Sequence, residues 1–209
     1  KSLEYKVRFS IFIVALASIP ISMFMWFFPQ PIIDTLLGTQ WKEAAGLLSA
    51  LSLLLLYYSF ILVLEQCLLS LKKVKALFWY DVFSLILITA GLLMMVSNSL
   101  ESLAYARGIL GLFTMIALFI YVRIILRIKI LRIFLLIAPI FSISSISIYL
   151  SLQFEPIMQY PLAQLIQYLF IYCVSFILFI SVFFITIDID EIKTLKQLIF
   201  SIKRQHNEK

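Results

Sequence analysis

Six runs of about twenty or more mostly apolar residues each, separated by short polar breaks, allow this chain only one kind of solvent. The runs cover roughly residues 9–33, 46–70, 76–97, 102–122, 133–152 and 161–187. Each is long enough to cross a bilayer as a helix, and none alternates with the period of two that a barrel strand needs. Soluble domains are roughly half apolar and about a quarter charged. This chain is 63% apolar and 13% charged, more apolar surface than a soluble fold can hide. The expected fold is all-α: a polytopic membrane helix bundle with six transmembrane helices over residues 1–187, followed by a cytoplasmic amphipathic tail over 188–209.

The breaks carry the charges. Lys72, Lys73 and Lys75 divide the second run from the third, and Asn98, Ser99 and Glu101 the third from the fourth. Arg123, Arg127, Lys129 and Arg132 follow the fourth run, and Glu155, Pro156 and Pro161 divide the fifth from the sixth. Pro20 lies inside the first run, cannot donate a backbone hydrogen bond, and predicts a kink there. Fifteen of the seventeen Lys and Arg residues fall on alternate breaks or at the two ends. Basic loops stay in the cytoplasm, so both ends are expected inside. The net charge of +6 is therefore a signal of orientation, not of nucleic-acid binding. In the tail, Ile192, Leu195, Ile199 and Ile202 share a helical face flanked by Lys193, Lys196, Lys203 and Arg204, the pattern of a helix lying on the cytoplasmic leaflet.

Much chemistry is excluded. The only histidine, His206, sits in the polar tail, and Cys67 and Cys173 fall in apolar runs with no CxxC partner, as small buried hydrophobes do. No Gly-rich nucleotide loop, HExxH or nucleophile elbow occurs. No loop is long enough for a catalytic domain, so no enzyme activity, cofactor or metal is expected. The chain opens on Lys, and no signal peptide precedes the first run, which is too long for one; it reads as the C-terminal part of a longer protein.

The stretch "PIIDTLLGTQWKEAAGLL", residues 31–48, interrupts the apolar pattern with Asp34, Gly38, Trp41, Lys42 and Glu43. Trp41 suits headgroup depth, and Gly38 permits a turn back into the bilayer. The order Ile32, Ile33, Leu37, Gly38, Trp41, Ala44, Ala45 and Leu48 resembles the signature of bacterial polysaccharide flippases, the O-antigen and exopolysaccharide translocases of the multidrug/oligosaccharidyl-lipid/polysaccharide exporter superfamily. The basic turn in "LLSLKKVKALFWYDVFSLIL" also looks like that family's, except that Leu71 stands where a Gly is common. The resemblance covers roughly residues 1–127 in detail. It implies a second-lobe fragment of a transporter in the bacterial inner membrane, translocating a lipid-linked oligosaccharide by alternating access. Membrane lipids and a missing N-terminal lobe would be its partners. A drug or metabolite exporter on the same scaffold, or a non-transporting membrane scaffold protein, remains open.

Such a flippase needs cations for a lipid-linked pyrophosphate, which points to ionisable residues inside spans. Arg107 in "LAYARGIL" is the first substrate-binding candidate, against snorkelling to the outer interface. Glu65 in "LVLEQCLL" is the second, as a proton or cation site or as a partner of Lys72. Arg107 and Glu65 belong to opposite leaflets and are not expected to meet. Asp81 is expected to be interfacial. Ala104, Gly108 and Gly111 form a small-residue strip suited to helix packing, and the serines of 141–151 either line water or bond back to their own helix.

Overall fold

The computed structural model describes residues 3–95, 99–127, 130–155, 160–186 and, beyond these, 192, 193 and 195. Among the described residues the secondary structure is helical: α1 Leu3–Phe27, α2 Pro29–Leu36, α3 Ala44–Ser70, α4 Val74–Leu93, α5 Leu100–Leu126, α6 Ile130–Gln153 and α7 Pro161–Thr186. All but α2 are long and apolar enough to cross a membrane. The chain is a multi-pass, all-α membrane protein.

The first span corrects the sequence reading. A single run over 9–33 was expected, but α1 starts at Leu3 and stops at Phe27, and α2 is a separate short helix. Pro29 and Pro31 explain the stop: proline disfavours helix in the residue before it and suits the first turn of the next helix. Pro20 leaves α1 one helix. Beyond α2 the chain makes a 3₁₀ turn at Thr39–Trp41, entered through Gly38 at φ 93°. That backbone region is costly for any residue with a Cβ, which gives the Gly of the loop its physical reason.

Helices α1 and α3 form the centre and run antiparallel. Val7 and Ile11 meet Leu64 and Leu68 near one end, and Ser22 donates to the Ser52 carbonyl at 2.6 Å nearer the other. On one side α5 lies parallel to α3, with α4 outside it. On the other, α6 lies beside α1, covered by α7. This places Lys6, Ser70, Lys72 and Arg123 at one end of the bundle and Trp41 and Glu101 at the other. The α3–α5 approach depends on the small strip of α5. A Cβ on Gly111 would run into the Tyr57 ring, so only glycine lets that ring lie against the α5 backbone.

At the basic end α3 closes with two crossed hydrogen bonds, Lys73 N to Leu68 O and Lys72 N to Leu69 O, both 2.9 Å. They form a helix-terminating Schellman turn, with Lys72 in the left-handed region at φ 56°. The family-like glycine is absent at Leu71, but the strained position is the next one, occupied by Lys72. In the tail, Ile192 corrects another expectation. It is fully buried among Phe12, Ile140, Ile180 and Phe183, with Leu195 packed beside it, so it faces protein and not headgroups. Ile199 and Ile202 lie outside the described residues.

Candidate functional site

Arg107 sits seven residues inside α5. Its guanidinium turns across to α3, where Nη2 donates to the Tyr58 hydroxyl at 2.9 Å. The cation lies 5.3 Å from the Tyr57 ring centre and 5.7 Å from that of Tyr58, and the two rings stack at 4.4 Å. The Tyr57 ring rests against Gly111, which at 1.5 Å per residue is about 16 Å below the start of α5, half the thickness of a bilayer core. The quadrupoles of two tyrosine faces and one phenolic oxygen attract the guanidinium toward α3.

The arrangement is incomplete as a hydrogen-bonding set. Arg107 Nη1 and the hydroxyl of Tyr57, a residue 1% exposed, are buried without a hydrogen bond of regular geometry, although the two groups and Tyr58 interact with one another. An unmet buried donor costs about 1–3 kcal/mol, and more when charged. A guanidinium with one amino group satisfied and one open fits an anion with oxygens to offer, such as a phosphate. A cleft of about 410 Å³ lined by Thr89, Leu93, Leu103 and Ala104 runs between α4 and α5 and ends at Arg107.

Glu65 lies elsewhere. It is half-buried on α3 and within electrostatic range of Asp81 on the exposed face of α4. It forms no ion pair with Lys72, contrary to that reading. Seven residues along a helix is about 10 Å, and the turn at Lys72 carries its side chain past the helix end. Arg107 and Glu65 are not brought together, as the sequence led us to expect. Among the described residues no group of three or more His, Cys, Asp or Glu side chains is placed to hold a metal ion.

Sequence reasoning missed a second cleft. About 680 Å³ opens between α1 and α3; α1 turns Lys6, Ser10 and Ser18 into it, and α3 turns Ser59, Gln66 and Ser70. The signal was present as helical spacing, i to i+4 to i+12 on one helix and i to i+7 to i+11 on the other, but no single window contains both halves. The serines at 141–151, which do form a visible run, behave differently. Ser144, Ser147 and Ser151 are fully buried, and Ser151 bonds back to the Ser147 carbonyl at 2.9 Å. They line no open space. Cys67 is buried as expected, whereas Cys173 is exposed on α7.

No family model matches the sequence, no curated protein matches it, and no solved structure matches the fold.

Proposed function

We propose that the chain is the C-terminal part of a flippase that carries a lipid-linked oligosaccharide across the bacterial inner membrane, without covalent chemistry and with the rest of the protein as the opposing lobe. The observation that carries the reading is Arg107: a cation about 10 Å inside a span, held by two tyrosines, with one amino group that lacks a regular hydrogen bond. Ionisable groups at that depth are expensive and mark pathways for charged cargo. The pyrophosphate of a lipid-linked sugar has the charge and the oxygens such a group accepts. The Gly38–Trp41 loop and the six spans support the same reading through their likeness to the polysaccharide flippases.

The test is complementation of a flippase-deficient strain with the complete protein, protein level being measured alongside. Arg107→Ala is expected to abolish polysaccharide export. Arg107→Lys is expected to retain part of it, because the charge stays while the bidentate fork is lost. Normal export by Arg107→Ala at wild-type level would remove Arg107 from substrate contact.

A further inference from the structure

Helices α5 and α6 follow one another in the chain, joined by residues 127–129, yet each packs mainly elsewhere. α5 lies on α3 and α4, and α6 on α1 and α7. So short a connection ordinarily makes packed neighbours. Here it leaves a slot of about 360 Å³ between them. Ile11 of α1 and Leu64 of α3, both buried, form its floor, and Ile116, Phe119, Phe134 and Phe141 line its sides. Every lining residue is apolar. Ile116, Phe134 and Phe141 are exposed, so the slot opens sideways toward lipid. Along α6 it runs from Ile133 to Phe141, about 12 Å from the basic end toward mid-bundle. Water finds no partner in such a slot, and an empty one forfeits the dispersion contacts of its walls. A helix about 10 Å across does not fit so narrow a space, whereas a single flexible hydrocarbon chain does.

The basic end of the slot is where the arginines are. Arg123 lies one turn beyond Phe119 on α5, Arg127 caps that helix, and Arg132 directly precedes Ile133 on α6. All three are exposed, and among the described residues none of them pairs with a carboxylate. We propose that the slot holds one anionic phospholipid of the leaflet at the basic end, with its phosphate on Arg123, Arg127 and Arg132 and one acyl chain between α5 and α6. Arginines at headgroup level beside a crevice take a phosphate through several charge-assisted hydrogen bonds, and the apolar slot beneath takes the chain. Neither half makes a site alone: arginines without a slot are an ordinary basic rim, and a slot without arginines takes any lipid. The chain supplies the contact that α5 and α6 do not make, and so ties the α6–α7 pair to the α3–α5 side of the bundle. Arg107 plays no part in it. It lies sixteen residues from Arg123 on the same helix, about 24 Å toward the opposite end. The proposal therefore stands whether or not the chain translocates a cargo.

Native mass spectrometry of the complete protein tests this, after delipidation in detergent and titration with phosphatidylglycerol or phosphatidylcholine of the same acyl chains. The wild-type protein should bind its first phosphatidylglycerol at least about tenfold more tightly than phosphatidylcholine. Arg123→Gln combined with Arg127→Gln and Arg132→Gln, all at exposed positions, should bring the two lipids to within about twofold of each other. Ile116→Trp, which puts an indole into the slot, should weaken the first phosphatidylglycerol by about tenfold. Phe141→Trp serves if Ile116→Trp does not accumulate. Equal binding of the two lipids by the wild-type protein would overturn the site. So would a headgroup preference that survives loss of the three arginines. Undiminished binding by the slot-filling variant would move the lipid elsewhere on the basic rim and overturn the slot. Displacement of phosphatidylglycerol by polyprenyl phosphate at equal concentration would make the slot a seat for the cargo's own lipid, and the resident phospholipid would be overturned.

Discussion

Serines line two regions of this bundle, and the two behave as opposites. On α6, Ser144, Ser147 and Ser151 face inward with no exposed surface, between the layers formed with α1 and α7. Nearby, Ser22, Ser52 and Ser175 spend their hydroxyl protons on backbone carbonyls, and Tyr172 of α7 donates to the Pro20 carbonyl of α1 at 3.0 Å. There the hydroxyl serves as a small group that lets helices approach. Across the α1–α3 cleft the same residue type opens toward space, beside Gln66 and Lys6. Composition does not separate a sealed serine from an exposed one. What separates them is whether a neighbouring helix covers the face that carries it.

The largest effect that could break this contrast is a charge placed in each region. Ser147→Asp would bury a carboxylate with no cation to pair, at a cost of several kcal/mol, and should prevent accumulation of folded protein. Ser10→Asp, at an exposed position in the cleft, should leave accumulation and thermal stability near wild type. Fluorescence-detected size exclusion with a thermal challenge reads both. Equal tolerance would mean that the α6 seam is not sealed. A smaller effect sharpens the same contrast. Tyr172→Phe removes one buried hydrogen bond while keeping the ring packed on Phe24. It should cost about 1 kcal/mol, seen as a small drop in melting temperature. No change would mean that the bond to Pro20 contributes nothing to the α1–α7 contact.

Much of the fold was legible because bilayer thickness imposes a length that apolar runs must match. Five of the six expected spans coincide with helices to within a few residues, and the small strip around Gly108 and Gly111 packs helices as its residue types suggest. The first span was misjudged because hydropathy carries on through Phe28 while backbone geometry does not; the proline pair, not polarity, ends the helix. Sites were less legible. Arg107 was visible as a charge in an apolar run, but its direction is set by Tyr57 and Tyr58, fifty and forty-nine residues away, which read in sequence as ordinary span aromatics. The cleft was invisible because its two polar stripes lie on separate helices and become one feature only when α1 and α3 pack antiparallel. Ile192 shows the same limit from the other side: an apolar residue expected to meet headgroups is covered, with Leu195 beside it, by protein.

Translocation itself is the claim that rests on Arg107, and it can be measured without cells. The complete protein would be reconstituted into vesicles carrying a lipid-linked oligosaccharide, and the fraction of glycan reachable by an external glycosidase followed over time. The account predicts that the glycan pool initially protected inside the vesicles becomes accessible at a rate that rises with the amount of protein and falls to the protein-free rate in Arg107→Ala. A rate equal to that of protein-free vesicles for the wild-type protein would contradict it.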